Sequence, residues 1–502
     1  MVKNICLLFL FIITVKFCHS QVLPKEGSKL NYRIIGFSFP SVVTASKYML
    51  EIAKGNLTDE ASFRKNIILK INCDSTKVIA EVPDFGMAYT WRISVKGGIG
   101  DLHHFSTYAF PDIEQKIRLR ITKNAETYKD AYVFVDGFRA LFDMNGNPVW
   151  FLPTEADNPY QGIRDLKITP QNTITFLTDR NQAYEINYQG NILWSAPENK
   201  NDAINTELKY HHEFTRMSSG HYIVSGNEQL LWGDLAKPGS LKSSDSALNN
   251  KKIILGTIIE YDEQGKVIWE WKSSDYFKLI GLYYFNTTLN DPDYDPHMNS
   301  FYFDEKQKEV YVSFKKISRI IKIKYPEGNL LKEYGADYKN GDPPQGSEFF
   351  CSQHSCKVTQ DGYLYFYNNN DCNYPDHPSV LITEESENAS EPLKKVWEYV
   401  CPVIQEGTIR QGKPPLNSYS SGGNVTELPD RSMLINLSNP YGFSPLSGVS
   451  IVSREKKIIW SGVPEKWNKD TKQWQTAPVY RVSIIKSRRI MDDLIRKVEE
   501  LK

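Results

Sequence analysis

The chain has no excess charge of either sign, because its 60 lysines and arginines balance its 60 aspartates and glutamates. Such a surface offers no overall attraction to nucleic acid or to an anionic membrane, so an anionic ligand must be held by a local cluster of cations. The motifs GxxxxGK[ST] and GxSxG are also missing. Their absence argues against a nucleotide-dependent, kinase-like mechanism and leaves no GxSxG nucleophile.

Long apolar runs are rare, and the one at the amino terminus is too short to cross a bilayer comfortably. Ile5–Val15 has eleven residues, whereas a membrane-spanning helix needs about 20. Lys3 before this run and the tripeptide CHS after it are typical of a secretory signal peptide over residues 1–20. A lipid anchor at Cys18 is the alternative, although the two residues before it are unsuitable. We therefore expect an exported protein, periplasmic or secreted, with no membrane span.

Cysteine is scarce, and five cysteines remain after residue 20. Four of them lie within a 51-residue window, namely Cys351, Cys356, Cys372 and Cys401, while Cys73 is far upstream. Because export permits disulfides, we expect two bridges among the four and a free Cys73. Four cysteines allow three pairings. Free, buried thiols are the alternative.

Aromatic residues are plentiful at 13%, and glycine, proline and asparagine recur between short alternating runs. This combination favours an all-β fold. Residues 28–105 alternate apolar and polar side chains and show no helical period, which predicts a β-sandwich domain over residues 21–111. The boundary is expected at the turn near Phe110-Pro111.

From residue 112 onward a pattern repeats, in which a turn precedes an apolar run that ends in an aromatic residue. Six copies occur, most of them 63 to 75 residues apart, as DMNGNPVW, NYQGNILW, DEQGKVIW, YPEGNLLK, KKVW and REKKIIW. With a second hairpin before most copies, each repeat predicts a four-stranded antiparallel sheet. Six such sheets predict a six-bladed β-propeller over residues 112–486. A β-solenoid, the alternative, would require shorter and more regular repeats.

The second hairpin begins at equivalent positions in five repeats. These positions are Arg164, His212, His297, His354 and Gly423, and in four of the five a turn residue follows eight positions later. If each begins the innermost strand of a blade, all five residues meet at one mouth of the central channel. For Arg164 a structural salt bridge is the favoured interpretation.

The end of the chain supplies the elements that complete the propeller. Val479–Ile485 is the expected closing strand, since a propeller usually joins strands from its two chain ends. Residues 487–502 are charged and have apolar residues at helical spacing, which predicts a helical tail.

Three imidazoles at one channel mouth favour a site for a compact anion. Histidine offers a nucleophilic nitrogen and can carry a proton near neutral pH. Asn299 shares the strand face of His297, and Lys315 and Arg319 add positive charge on the neighbouring strand. Such a ring suits transfer of a sulfuryl or phosphoryl group, whose charge spreads over three oxygens.

Two other functions compete with this interpretation. A zinc site is the usual alternative for a histidine cluster, but HHEFTR has Arg216 where the second histidine of a zinc protease must stand. We therefore predict no metal and no cofactor. The second alternative is a non-catalytic propeller that binds an anionic glycan or peptide at the channel mouth.

Four segments resemble the bacterial aryl-sulfate sulfotransferases: DPHMNS at 295–300, SFKKISRIIKI at 313–323, SQHSCKVTQDGYLYFYNN at 352–369 and YHHEFTRMSSGHYIV at 210–224. The resemblance runs from about residue 28 to about 485. It implies an exported six-bladed propeller with an N-terminal β-sandwich, for which a homodimer is an option. The implied activity moves a sulfuryl group from a phenolic sulfate ester to a phenol through a sulfated histidine, without a nucleotide sulfate donor.

The resemblance also implies roles for individual residues. His354 in SQHS matches the nucleophile, and His297 and Asn299 in DPHMNS match the residues that bind the sulfuryl oxygens. One of the pair His211-His212 matches the remaining histidine. We prefer His212, because only His212 keeps the eight-residue spacing to the turn glycine.

The chain departs from the family pattern at Lys315, where the family has an arginine. A lysine keeps the charge but loses the planar fork that grips two oxygens, and Arg319 is the candidate to replace it. Tyr480, in a late Tyr-Arg pair, is a further candidate for the site. The family has a disulfide just before the nucleophile, and Cys351 and Cys356 are the cysteines nearest to the corresponding place in this sequence.

Overall fold

The computed structural model of the protein describes residues 22–43, 45–110, 116–152, 162–179, 182–197, 200–201, 206–207, 210–231, 252–280, 295–335, 350–370, 378–388, 391–401, 422–438, 448–477 and 479–500. The predicted signal peptide at residues 1–20 lies outside these ranges. The chain divides into two compact units, one ending at Ala109 and the other beginning at Phe110. In both units the predicted all-β class is confirmed.

The N-terminal unit is a β-sandwich. Its strands are β1 (Ser28–Leu30), β2 (Ile34–Ser38), β3 (Tyr48–Lys54), β4 (Ile67–Cys73), β5 (Lys77–Glu81), β6 (Ala88–Val95), β7 (Gly98–Ile99) and β8 (His103–Thr107). One sheet has the order β1-β8-β6-β3-β4 with β7 on β6, and β2 pairs with β5. Phe37 of β2 meets Trp91 of β6 edge-on at 5.1 Å, so aromatic rings fill the space between the sheets. The helix α1 (Glu60–Lys65) begins at the side-chain cap of Asp59.

The second unit contains five four-stranded antiparallel sheets and one six-stranded antiparallel sheet among the described residues, and these are the six predicted blades. From the axis outward, the strands of blades 1 to 3 are β36 (Val482–Ile485), β10 (Tyr132–Val135), β11 (Ala140–Asp143) and β12 (Pro148–Phe151); β13 (Ile163–Ile168), β14 (Ile174–Thr178), β15 (Ala183–Ile186) and β16 (Ile192–Ser195); and β19 (Phe214–Arg216), β20 (Tyr222–Leu231), β21 (Lys252–Tyr261) and β22 (Val267–Lys272). Between blades 2 and 3, β17 (Lys200–Asn201) pairs with β18 (Thr206–Glu207).

Blades 4 to 6 follow the same order along the chain. Their strands are β23 (Met298–Asp304), β24 (Glu309–Phe314), β25 (Arg319–Lys324) and β26 (Leu330–Gly335); β27 (His354–Val358), β28 (Leu364–Asn368), β29 (Ser379–Glu384) and β30 (Lys394–Val400); and β31 (Asn424–Glu427), β32 (Met433–Leu437), β33 (Gly448–Val452) and β34 (Ile458–Asn468). Blade 6 is extended by β35 (Gln473–Thr476) and β9 (Ile117–Lys123), which both pair with β34.

The two ends of the unit meet in blade 1. The predicted closing segment contains β36, which pairs antiparallel with β10 from Tyr132↔Ile485 to Val135↔Val482. After it, the helix α3 (Arg488–Glu500) buries Met491, Leu494 and Ile495. The remaining helix, α2 (Ser273–Ile280), follows blade 3. Among the described helices, none combines the length and the apolar character needed to cross a membrane.

The repeated aromatic residue of the sequence motif ties one blade to the next. In four copies of the motif this residue is a tryptophan whose indole N–H donates to a backbone carbonyl in the last turn of the following blade. The pairs are Trp150 with Tyr188 (2.7 Å), Trp269 with Pro326 (2.7 Å), Trp397 with Arg454 (2.7 Å) and Trp460 with Met144 (2.9 Å). In blade 4, Lys332 takes this place and donates to the carbonyl of Ser386 in blade 5. The bond from Trp460 joins blade 6 to blade 1, so it closes the ring in addition to the β10–β36 pairing.

The expectation of two disulfides among the four clustered cysteines is wrong. Cys356 and Cys401 are free, buried thiols, and Cys73 is also free. Cys356 and Cys401 belong to separate core clusters, one around Ile320 and Phe366 and the other around Val425 and Ile435, so they do not meet. Cys351 is disulfide-bonded, and its partner lies outside the described residues, as does Cys372.

We predict that Trp460→Phe destabilises the propeller by about 1–3 kcal/mol, because it removes a buried donor and leaves the carbonyl of Met144 without its partner. Trp194→Phe is the matched control, since Trp194 stacks on Tyr222 at 3.9 Å but its indole N–H makes no hydrogen bond among the described residues. Chemical denaturation of both variants measures the difference. Equal stability of the two variants would contradict a role for this bond in closing the ring.

Candidate active site

Histidines from blades 3 and 4 meet at the axis of the propeller. His212 and His297 precede the innermost strands of their blades, and both have left-handed backbones, with φ of 59° and 60°. This conformation costs a non-glycine residue roughly 1–2 kcal/mol. The two imidazole rings meet edge to face, with their centroids 5.0 Å apart. The strand entry therefore directs both rings into one small volume.

His354 begins the innermost strand of blade 5 and is almost completely buried, with 2% of its surface exposed. The pairing of β27 with β28 slips between His354 and Lys357, so a bulge separates the histidine from the regular strand. The amide nitrogen of Asn299 in blade 4 donates to the carbonyl of Gln353 over 2.7 Å. This bond holds the first residues of β23 close to the residue that precedes β27, next to His354.

Blade 6 has Gly423 at the equivalent position, and the structure explains why. Its φ is 88°, and an added Cβ would lie 2.5 Å from Cε1 of Tyr367. A side chain here would therefore clash with that ring, and glycine is the residue that tolerates both the close approach and the left-handed backbone.

The hydrogen bonds of His354 define its tautomer. Its Nδ1 lies 2.6 Å from Oδ1 of Asn369 and 3.2 Å from the carbonyl oxygen of Ser352. A carbonyl can only accept, so Nδ1 must carry the proton. In the neutral ring the lone pair is then on Nε2.

His212 also carries its proton on Nδ1, because of its hydrogen bond to the neighbouring His211. Nε2 of His211 lies 2.7 Å from Oδ1 of Asn227 and 3.2 Å from the carbonyl of Gly226, so this nitrogen donates. Nδ1 of His211 must then accept from Nδ1 of His212, over 2.5 Å. His212 is left with its lone pair on Nε2. His211 thus fixes the orientation and tautomer of His212, and it does not occupy the same repeat position as His297 and His354.

His297 differs from the other two because its partner is a carboxylate. Nδ1 of His297 lies 3.2 Å from Oδ2 of Asp295, and the backbone N–H of His297 donates to Oδ1 over 2.7 Å. The carboxylate accepts from Nδ1–H and orients the ring, so Nε2 is the nitrogen that can exchange a proton. His297 is therefore suited to give and take a proton.

Burial keeps the remaining imidazoles neutral. It lowers the pKa of His354 well below the ordinary value, and the positive charge of Lys315 lowers this pKa further. Burial also lowers the pKa of His212 well below its ordinary value, with the neighbouring His211 and His297 adding to the effect. The pKa of His211 falls to about 4, because burial outweighs its bond to Asn227. The Nε2 lone pairs of His354 and His212 are therefore available near neutral pH, whereas the lone pair of His211 accepts from His212.

A buried charge network lies next to the histidines. The guanidinium of Arg481 contacts Asp165 at 3.0 Å and Glu213 at 2.6 Å, and it donates to the carbonyl of Asn299 over 3.2 Å. Lys167 contacts the same two carboxylates at 2.6 and 3.1 Å. Two cations and two carboxylates from the innermost strands of blades 1 to 3 thus satisfy each other away from water.

The other predicted site residues have different surroundings. Lys315 lies in the turn between β24 and β25, where its charge acts on His354. Arg319 forms an ion pair with Glu333 at 2.9 Å and donates to the hydroxyl of Tyr276 over 3.0 Å. The guanidinium of Arg319 is therefore engaged by these two partners. Arg164 forms the expected salt bridge, with Asp179 at 3.0 Å.

Two predicted residues carry polar atoms without a hydrogen-bond partner among the described residues. The ring of Tyr480 lies 6.1 Å from that of His212, and its buried hydroxyl is unpaired. Oδ1 of Asn299 is also buried and unpaired. Buried polar atoms are normally satisfied, so both atoms are candidates to contact a bound substrate.

Sequence reasoning missed the residues that hold the histidines. Asp295 and Asn369 lie inside the quoted segments DPHMNS and SQHSCKVTQDGYLYFYNN, so their positions could have been considered. Asn227 and Arg481 carried no comparable signal, apart from the position of Arg481 next to Tyr480. Within the described ranges, no group of three or more histidine, cysteine, aspartate or glutamate side chains has an arrangement that could hold a metal ion.

Several solved structures are similar to this chain at low identity. A protein of unknown function from Bacteroides caccae is 14% identical and covers 71% of this chain and 98% of its own, with a TM-score of 0.39. The periplasmic gluconolactonase PpgL of Pseudomonas aeruginosa is 12% identical and covers 74% of this chain and 100% of its own, with a TM-score of 0.34. BamB of Moraxella catarrhalis is 12% identical, with coverages of 74% and 84% and a TM-score of 0.28.

No curated protein matches the sequence. The family model described as Arylsulfotransferase (ASST) does match, over residues 119–392, which is 274 of the 502 residues. The matched region contains His212, His297, Asn299, Lys315 and His354. The chain therefore belongs to the arylsulfotransferase family.

Proposed function

We propose that this protein is an exported aryl-sulfate sulfotransferase that acts through a sulfohistidine at His354 and uses no nucleotide sulfate donor. Family membership supports aryl sulfotransferase activity in general, with aryl sulfates and phenols as substrates. The observation that carries the mechanism is the tautomer of His354. Its Nδ1–H is held by Asn369 and Ser352, so the nucleophilic lone pair is on Nε2. The proposal of export, to the periplasm or beyond, rests on the signal peptide that the sequence predicts over residues 1–20.

In the first half-reaction, Nε2 of His354 attacks the sulfur of the aryl sulfate. An N–S bond forms while the S–O bond to the phenol breaks, and the electron pair leaves with the phenol oxygen. That oxygen takes a proton from Nε2 of His297, whose ring is oriented by the contact of Nδ1 with Asp295. Lys315 and the second N–H of the Asn299 side chain stabilise the negative charge on the sulfuryl oxygens.

In the second half-reaction, a phenol acceptor takes the sulfuryl group. Its oxygen forms the new S–O bond, the N–S bond breaks, and the electron pair returns to Nε2 of His354. The phenol proton passes to His297, which restores the starting state. While the acceptor binds, its hydroxyl donates to Nε2 of His212, which carries a lone pair, and this single hydrogen turns to His297 when the new S–O bond forms. The reaction is balanced without any further reactant.

Replacing the nucleophile tests the proposal directly. With a chromogenic aryl sulfate, wild type should release the chromophore in repeated turnovers only when a phenol acceptor is present. His354→Ala should lose roughly 10³-fold or more in kcat. Intact-mass measurement of wild type mixed with the donor alone should show a gain of one labile sulfuryl group, which the variant lacks.

His221→Ala is the matched control, because His221 pairs with Glu260 at 2.7 Å in a turn away from the site. It should retain wild-type activity. Substantial activity in His354→Ala would show that another residue is the nucleophile. A wild-type protein that binds an aryl sulfate without gaining the group would instead be a non-catalytic propeller for anionic glycans or peptides.

Lys315 should contribute transition-state stabilisation. We predict that Lys315→Ala lowers kcat by about 10²- to 10³-fold, the usual effect of removing one charge-stabilising donor. Lys315→Arg should retain or exceed the wild-type kcat, since the guanidinium fork grips two oxygens. Lys324→Ala, at the far end of β25, is the control. If the kcat of Lys315→Ala were within twofold of the wild-type kcat, another residue would have to stabilise the negative charge on the sulfuryl oxygens.

The pH dependence should reflect the low pKa of His354. A lowered pKa keeps the imidazole unprotonated to lower pH, so the rate of the first-turnover burst should not fall as pH decreases from 7 through the ordinary histidine value of about 6.5. Lys315→Gln removes a positive charge and should move the acidic limb to higher pH. Stopped-flow measurement of the burst tests both statements. An acidic limb at or above about 6.5 in wild type would contradict them.

A further inference from the structure

We propose that Asn369 is the positioning residue that makes His354 release its sulfuryl group, by giving its imidazole a neutral partner instead of a carboxylate. This inference rests on the proposed function and adds a residue to it. Asn369 touches neither substrate nor reacting atom in this mechanism, and it acts through the Nδ1–H of His354.

The orientation of the Asn369 amide is determined by its second contact. Its Nδ2 donates to the carbonyl of Gly422 over 3.1 Å, and that oxygen can only accept. Oδ1 must therefore face His354, whose Nδ1 lies 2.6 Å away. Asn369 is fully buried. Blade 6, which provides Gly422, thus determines which nitrogen of a blade 5 histidine carries the proton.

The partner of His354 contrasts with that of His297. Among the described residues, His354 has no carboxylate within hydrogen-bond or ion-pair distance, and the charged or titratable groups that interact with it electrostatically include Lys315, His297, Arg481 and His212. His297 has Asp295 at the equivalent nitrogen. A carboxylate stabilises a positive ring, and a neutral amide does so much less. The two histidines therefore have different partners for different tasks.

The difference matters in the sulfated intermediate. With an N–S bond at Nε2 and a proton on Nδ1, the ring of His354 carries positive charge beside the negative sulfuryl oxygens. When the acceptor oxygen attacks sulfur, the N–S bond breaks and the electron pair returns to Nε2, so the ring leaves as neutral imidazole. A carboxylate at Nδ1 would stabilise the charged intermediate and slow this step. The amide of Asn369 leaves the intermediate reactive.

The test is Asn369→Asp, with Asn368→Asp as the matched control. Asn368 is also buried, and its Oδ1 accepts from the backbone of Cys351, which a carboxylate can equally do, but it does not contact His354. Asn369→Asp should give a full burst of phenol with an aryl sulfate and then transfer the group to the acceptor roughly 10- to 100-fold more slowly. Mass spectrometry during turnover should show the sulfated enzyme accumulating. Asn368→Asp should turn over within a few-fold of wild type.

Two outcomes are distinguished by these measurements. If wild type gains the sulfuryl group and Asn369→Asp transfers it as fast as wild type, the role of Asn369 is overturned while the proposed function stands. If wild type never gains the group, the proposed function fails and this inference with it. A readout independent of activity is ¹⁵N NMR of the histidines, which should find His354 protonated at Nδ1 in wild type. Protonation at Nε2 in the neutral ring would overturn the inference.

Discussion

The ion pairs of Arg481 are the interaction on which the site depends. This guanidinium precedes the closing strand of blade 1, and it reaches Asp165 in blade 2, Glu213 in blade 3 and the carbonyl of Asn299 in blade 4. A buried cation is costly unless its partners are in place. Four blades must therefore hold their relative positions for this one side chain to be satisfied, and His212 and His297 stand on two of these blades.

The charges around the axis also decide how the imidazoles behave. Burial and the cations Lys315 and Arg481 lower the pKa of His354, so the proposed nucleophile stays unprotonated at the pH where a free histidine would begin to titrate. The same cations attract an anionic donor into a chain with no net charge. Asp295 is the exception among the partners of the histidines, because it places a carboxylate at Nδ1 of His297 where His354 has an amide oxygen. The two histidines thus differ in the residue that accepts from Nδ1, and we propose that this difference suits them to different steps of the reaction.

The fold was largely predictable because each blade is a local unit. Hairpin turns and alternating residues recur along the chain, and the aromatic residue that ends each motif proves to be the donor that binds the next blade, as Trp150 and Trp460 show. The histidines were found because equivalent repeat positions meet at the axis. Pairing of cysteines was predicted wrongly, since closeness in sequence says little about which core cluster a thiol enters. Cys356 and Cys401 illustrate this, as they lie in different clusters.

The sequence by itself determined the class of fold, the number of blades and the family, because these follow from local periodicity and from short motifs. Only the tertiary structure decided the chemical state of the site. The tautomer of His354 depends on Asn369 and, through it, on Gly422 in another blade. Arg319, next to the motif, is instead engaged by Glu333 and Tyr276. Hydrogen bonds between residues far apart in the chain set these states, and no local pattern encodes such pairings.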